Sequence, residues 1–492
     1  MVKWRAVSLL LVMLLACAAG QVPPGLHSAG PDQPVLLGES ATTVGATAWH
    51  RSGFSGDGVD VAVVDLGFDG YRLLRGTRLP ADVTAVSFRR DGAIESGTNH
   101  GTAAAELIHA VAPGASLHLI AYDGDLWSVV DYLIDEGVDV VSFSIGYLSG
   151  PFDGTSPVAR AVQWALDEGI VWVAAAGNYA LRHWGGVPED RDDDGWLDIA
   201  PGVRIDPFTA AAGAEFDLHL SWLGDADLDL CLFQGGRLLT CADQTQAHGD
   251  RPIETLHWTN RSSASATFGF GIRVNRGEAR RVDVFADNVS YLSHRTAAGS
   301  IVVPGDVEGV ITVGAVTASD PTQLTATSSR GPTADGRPKP DLVAPAGVPT
   351  SIGVFAGTSA ATPHVAGIAA LLLEAYPATP PDRVGALLRS RARPLGDPSG
   401  YGAGLARVGS PTPACAGLAP TILGTQSNDV LNGTSGPDVI HGRGGDDVIS
   451  GGGGDDVICG GPGSDILSGG AGVDRLLGGA GEDVIQRGRI AY

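Results

Sequence analysis

Apolar residues follow two different rhythms along this chain, and a third stretch repeats. Continuous apolar runs of strand length occur at Val59 to Asp65, Ser116 to Tyr122, Val138 to Ile145 and Ile170 to Ala176. Helical patterns fall between them, at Thr102 to Ala110, Leu126 to Glu136 and Pro157 to Glu168. Unbroken apolar strands separated by helices predict a parallel sheet covered on both faces. The same style resumes at Val310 to Val316 and continues through Leu342 to a helix of small residues that opens at Ser359.

Between residues 187 and 300 the rhythm changes. Apolar positions alternate with polar ones at Phe216, Leu218, Leu220 and Trp222, at Leu228, Leu230 and Leu232, and at Phe268, Phe270, Ile272 and Val274. Period two with no helix in between predicts antiparallel strands, so an inserted β-sandwich is expected here. The insert begins with Asp190-Arg-Asp-Asp-Asp194-Gly195 and Asp198. Carboxylates at alternate positions before a turning glycine can converge on one hard cation, which makes Asp190, Asp192, Asp194 and Asp198 candidate calcium ligands. The twelfth position is Pro201, so this is not a regular EF-hand. A solvated acidic turn is the plainer reading of the same residues.

Residues 428–486 repeat. Asp429, Asp438, Asp447, Asp456, Asp465, Asp474 and Asp483 recur at a constant interval of nine, each followed two positions later by an apolar residue, from Leu431 and Ile440 to Ile485. Gly451-Gly-Gly-Gly-Asp-Asp-Val-Ile458 and Gly460-Gly-Pro-Gly-Ser-Asp-Ile-Leu467 resemble the calcium-binding nonapeptide of RTX β-rolls. That resemblance implies glycine turns presenting carbonyls and these seven aspartates to Ca2+, with the apolar positions stacked inward. An unbroken register argues against a disordered glycine-rich tail.

Composition agrees. A chain of 492 residues should divide into two to four domains, and its 71 glycines signal turns or a glycine-dependent repeat. The formal charge is −23, from 55 acidic against 32 basic residues, which argues against nucleic acid or an anionic membrane and favours bound cations. Lys3 and Arg5 precede an apolar run from Ala6 to Ala16 and the small residues Cys17 to Gly20, the pattern of a secretory signal too short to span a bilayer. Leu14-Leu15-Ala16-Cys17 also resembles a bacterial lipobox, with Cys17 lipidated, while Ala18-Ala19-Gly20 offers ordinary cleavage and simple secretion. Both stay open. Four cysteines remain in an exported chain, which favours two disulfides. Cys231 and Cys241 flank a hairpin turning at Gly235-Gly236, and Cys415 with Cys459 follows by elimination.

Four segments carry candidate chemistry. Val61-Ala-Val-Val-Asp65 places a carboxylate at the carboxyl end of a buried strand, and His100-Gly-Thr-Ala-Ala-Ala-Glu106 opens a helix with a histidine. Val171-Trp-Val-Ala-Ala-Ala-Gly177-Asn178 ends a third strand with an amide. Gly357-Thr-Ser-Ala-Ala-Thr-Pro-His-Val-Ala-Gly367 sets Ser359 at a helix start, where free N–H groups favour a developing oxyanion. Each alone reads as a cap or a turn. Together, in the order Asp, His, Asn, Ser at strand ends of one sheet, they resemble a subtilisin-like serine protease, a subtilase, from about Gly45 to about Arg407 apart from the insert.

The resemblance implies Ser359 as nucleophile, His100 as general base, Asp65 as its orienting partner and Asn178 as oxyanion donor with the Ser359 N–H. It also implies that Ser144, Ile145 and Gly146 pair with an extended polypeptide substrate, and that Ala175, Ala176 and Gly177 wall the primary pocket. Leu66 stands where the family usually has Ser or Thr, and Ala103 and Ala104 replace a histidine and a valine. Asp69, His109, Glu106 and His364 are not candidates. The expected fold is α/β: a subtilisin-like parallel sheet with helices on both faces, an inserted antiparallel β-sandwich and a C-terminal parallel β-roll. The expected division is a signal peptide at 1–20, an arm or linker at 21–44, catalytic segments at 45–186 and 301–410, the insert at 187–300 and the roll at 411–492. The function expected is secreted, calcium-stabilised endopeptidase activity. The rival is an inactive subtilase-fold binding protein or a calcium-dependent adhesin. Oligomeric state is left open, with a monomer as the default.

Overall fold

The computed structural model describes residues 35–244, 252–377, 379–409, 415–416, 418 and 420–486. The expected signal peptide, Cys17 and the first part of the arm lie outside them. The chain forms two compact units. One comprises Met1–Val44, Gly58–Ala370 and Pro380–Arg407, the other Gly45–Asp57, Leu371–Thr379 and Val408–Tyr492.

The first unit is built on a seven-stranded sheet, in the order Leu342–Ala346, Ile311–Thr317, Val171–Ala175, Val140–Phe143, Asp60–Asp65, Ser116–Tyr122 and Thr84–Phe88. Every neighbouring pair is parallel. Val61 to Val64 are all buried, so both faces of the central strand are covered. Ala62 and Val64 join Val129, Val130 and Leu133 of helix Leu126–Asp135, and Ala161, Val162 and Ala165 of helix Pro157–Asp167, in one core. Ser156 caps the latter helix by accepting from the Ala159 N–H at 3.0 Å, with proline at the position that needs no donor. Helices His100–Val111 and Thr358–Ala375 approach closely: a Cβ on Gly367 would lie 2.7 Å from Val111 Cβ.

The sandwich consists of two four-stranded antiparallel sheets. One holds Arg237–Ala242, Asp227–Gln234, Ala266–Arg276 and Asp206–Ala210, the other Ile253–Thr259, Glu215–Gly224, Ala279–Asp287 and His183–Gly186. Leu218, Leu220 and Trp222 interdigitate with Leu228, Leu230, Phe270 and Ile272 between the sheets. Gly235 and Gly236, at φ 58° and 77°, make the hairpin turn that sets Cys231 opposite Cys241, and the two are disulfide-bonded. The strands begin at His183, before the stretch whose period-two pattern is legible.

Part of the expected arm is folded. Val35–Thr43 is a helix, and its Ser40 hydroxyl contacts His364 Nε2 at 2.7 Å, while the imidazole Nδ1 sits 2.7 Å from the Ala360 carbonyl. The second bond fixes Nδ1 as the protonated nitrogen, so Nε2 accepts from Ser40. Both residues are buried.

The second unit contains a two-sided parallel roll. Rungs Ile422–Leu423, Val439–His441, Val457–Cys459 and Arg475–Leu477 stack on one side, and Val430–Asn432, Val448–Ser450, Ile466–Ser468 and Val484–Gln486 on the other. Ile440, Ile449, Ile458 and Leu467 form its buried core, and Cys415 is disulfide-bonded to Cys459. No helix among the described residues is long and apolar enough to cross a membrane.

Burial pushes the His364 imidazole down to about 4. From pH 6.5 down to about 4 the unfolded chain takes up a proton that the folded chain refuses, so folding stability falls through that window, by about 3 kcal/mol from this group. Buried Asp306 and half-buried Glu374, raised to about 6 and about 7 by desolvation, act in the opposite sense. The expected outcome is that the melting temperature of a His364→Gln variant falls less than that of the parent between pH 6.5 and 4.

Candidate active site

Asp65 ends its strand fully buried. His100 is the first residue of its helix, and His100 Nδ1 lies 2.7 Å from Asp65 Oδ2. The approach depends on Gly101, whose N–H donates to the Gly67 carbonyl at 3.1 Å and whose Cβ, if present, would meet Asp65 Cβ and Gly67 O at 2.8 Å. The second carboxylate oxygen accepts from the Leu66 N–H at 2.7 Å. That bond uses backbone alone, which is why a leucine serves at this position. Phe355 packs edge-on against the imidazole at 5.0 Å. Burial lowers the affinity of His100 for a proton, but the charge and hydrogen bond of Asp65 outweigh it and hold the imidazole above its ordinary 6.5.

Ser359 is the second residue of helix Thr358–Ala375. Pro363 in the same helix has no N–H to offer the Ser359 carbonyl one turn back. That carbonyl instead accepts from Ser144 Oγ at 3.0 Å, and Ser359 Oγ donates to the Ser144 carbonyl at 3.3 Å. Asn178 is held by its carbonyl end, which accepts from the Thr358 N–H at 3.0 Å, leaving its NH2 end as the donor. Gly357, at φ 71°, is needed here because a Cβ would sit 2.7 Å from Asn178 Oδ1.

These residues share one cavity of about 300 Å³, lined by Asp65, His100, Asn178 and Ser359 with Ser144, Ile145, Gly146, Ala175 and Gly177. Ala176 is fully buried beneath the wall, donating to the Val313 carbonyl and accepting from the Val302 N–H. Leu66, Asp69, Thr98, Tyr179 and Val302 also line the cavity. No periodicity or motif in the sequence marks Val302 or Tyr179. Glu106, buried, accepts from the Ser351 N–H and hydroxyl and takes no part in the cavity.

Two acidic groups are candidates for cations. Oxygen atoms of Asp190, Asp192 and Asp194 lie within 4.8 Å of one another. Asp190 is already engaged by the N–H groups of Asp194 and Gly195, Asp194 pairs with Arg204, and Asp198 accepts from the Arg191 N–H at 3.0 Å. In the roll, Oδ1 of Asp447, Asp456, Asp465, Asp474 and Asp483 each accepts from the N–H of the aspartate 18 positions earlier. Asp429 and Asp438 have the other oxygen satisfied by Thr425 and Thr434. Oδ2 of Asp447, Asp456 and Asp465 is buried with no partner. Arg443, Gly452 and Gly461 stand where those threonines would be. Orphaned buried carboxylate oxygens fit a hard cation better than any other group.

The profile of the Subtilase family matches residues 56–195 and 258–404. The chain belongs to the subtilase family. The RTX calcium-binding nonapeptide repeat matches this subtilase at residues 423–458 and 460–489. Serine protease AprX of Bacillus subtilis (strain 168) is 36% identical over 141 residues, covering 23% of the chain and 32% of AprX. Minor extracellular protease Vpr of the same organism is 25% identical over 458 residues, covering 76% of the chain and 53% of Vpr. The alignments thus span less than two thirds of either relative. The solved structure of the Clostridium perfringens CspB protease matches with a TM-score of 0.56 at 18% identity, over 75% of the chain and 97% of CspB, a likeness of fold.

The opposing influences on His100 give a direct expectation. In a Ser359→Ala background, NMR titration of His100 should give a midpoint above pH 6.5. Replacing Asp65 with asparagine should move it below 6.5, because burial then acts without the countering charge.

Proposed function

We propose that this subtilase is an exported serine endopeptidase whose fold is supported by Ca2+ in the roll. One observation carries the reading: the 2.7 Å Asp65–His100 contact opens on the same cavity as Ser359 and Asn178. An extended polypeptide pairs with Ser144 to Gly146, so main-chain bonds give affinity whatever the sequence. Ser359 Oγ gives up its long bond to the Ser144 carbonyl and attacks the substrate carbonyl carbon as neutral His100 takes its proton. Asp65 holds the imidazole in the right tautomer and stabilises its positive form. The oxyanion receives Asn178 Nδ2–H and the Ser359 N–H, which belongs to the helix's first turn and has no intrahelical partner. Collapse breaks the peptide C–N bond, and His100 returns the proton to the leaving amine. Water activated by the same imidazole then hydrolyses the acyl-enzyme.

Calcium, when bound by Asp447, Asp456 and Asp465 and neighbouring aspartates of the repeat, supplies positive charge to carboxylates that otherwise face one another. The family and repeats support export, with the basic and apolar start of the sequence as the exporting signal. No observation favours a lipid on Cys17.

The test is covalent labelling by a fluorophosphonate probe. Mass spectrometry should find the adduct on Ser359 and none in Ser359→Ala; an unlabelled, folded parent chain would sink the reading. Asn178→Ala should lose about two to three decades in turnover with little change in KM, since the lost bond forms mainly in the transition state. Melting with and without a chelator should reveal a calcium-dependent transition, and identical curves would remove the role assigned to the roll.

A further inference from the structure

We infer that Val302 closes the base of the primary pocket, so that this subtilase cleaves after small residues. The inference rests on the endopeptidase reading and narrows it to a substrate class. With the substrate carbonyl at Ser359 Oγ, its oxygen toward Asn178 and its backbone along Ser144 to Gly146, the side chain before the cleaved bond has one way to go. It enters the gap between Ser144–Gly146 and Ala175–Gly177.

The segment Val302–Val303 is tied by its backbone to both walls of that gap. The Val302 N–H donates to the Ala176 carbonyl at 3.1 Å, and Val303 exchanges bonds with Tyr147 at 2.9 and 3.3 Å. The Val302 side chain is thereby fixed between the walls. Its Cγ2 lies 2.5 Å from where a Cβ on Gly146 would be, and its Cγ1 2.8 Å from where a Cβ on Gly177 would be. Two glycines on opposite walls make room for one isopropyl group.

Val302 lines the cavity and is itself fully buried, filling the gap between the two walls. Leu148, Phe152, Tyr179, Val303 and Phe285 of the inserted sandwich pack around it. Ser329 Oγ, which accepts from the Tyr179 N–H at 3.1 Å, lies 2.9 Å from the same Cβ position on Gly177. This packed cluster opposes any shift of Val302 to admit a larger substrate side chain. Alanine, glycine or serine fits above its methyls, whereas phenylalanine or leucine would have to displace them into a packed core.

The experiment compares kcat/KM for peptide substrates that differ only in Ala or Phe before the cleaved bond. Parent enzyme should favour Ala by at least about tenfold, as pocket sterics of this kind allow. Val302→Gly should lower the Ala-to-Phe ratio by about tenfold or more, and Val302→Ala by less, with melting curves confirming that both variants fold. Equal or faster cleavage after Phe in the parent enzyme overturns the inference, as does an unchanged ratio in both folded variants. Failure to cleave either substrate would count against the endopeptidase reading alone. The pocket is then read without turnover, by calorimetry of Ser359→Ala with acyl tripeptides ending in Ala or Phe. Tighter binding of the Ala peptide supports the inference, and equal or weaker binding overturns it.

Discussion

A carboxylate with no solvent exposure, set 2.7 Å from an imidazole, is the contact on which the first unit is arranged. A buried charge is costly unless hydrogen-bonded and paired, and Asp65 is both, through Leu66 N–H and His100. That satisfaction demands that a strand end and a helix start come nearly into backbone contact. Gly101 permits it, and Gly357 and Pro363 do the corresponding work at the other helix. The proline is instructive: by withholding one helical bond it frees the Ser359 carbonyl for Ser144, which links the serine to the wall beside it. Small and imperfect helix residues here are geometry rather than packing defects.

The inserted sandwich is docked through a face that antiparallel sheets commonly leave in water. Asp217, His219, Ser221, Asp283, Phe285 and Asp287 point away from the sandwich core and are nevertheless buried. Tyr179 donates to Asp287 at 3.3 Å, Arg182 reaches both Asp287 and the Asn178 carbonyl, and the Gly150 N–H donates to Ser221 Oγ at 3.4 Å. The residues after Asn178 and those after Gly146 are thus held from behind by the insert. An insertion that a loop merely tolerated would have no reason to bury so many polar groups in hydrogen bonds.

Much of this was legible in the chain. Buried parallel strands announce themselves because both faces are apolar, and the nonapeptide register survives because every rung obeys the same stacking. The half-buried edge strand Thr84–Phe88 was invisible for the opposite reason, as its Thr-Ala-Val-Ser-Phe run carries no strong pattern. His183–Gly186 leaves no pattern because His-Trp-Gly-Gly is too short and too glycine-rich to show alternation. The helix at Val35–Thr43 does not announce itself because Gly-Glu-Ser-Ala-Thr-Thr is a weak helical sequence, stabilised by tertiary contacts such as Ser40 with His364. Asp65, His100, Asn178 and Ser359 stand in motifs that a sequence displays. Val302 does not, because its importance lies in two glycines far from it in sequence.

The roll alternates sides with each nine residues, and partners on one side are 18 apart. One coil of the spiral is therefore two sequence units. Loss or gain of a single unit would carry everything downstream to the opposite flank, Cys459 included where the change falls ahead of it, whereas changes in pairs leave the downstream flank untouched. Length in this part of the molecule is quantised in steps of eighteen.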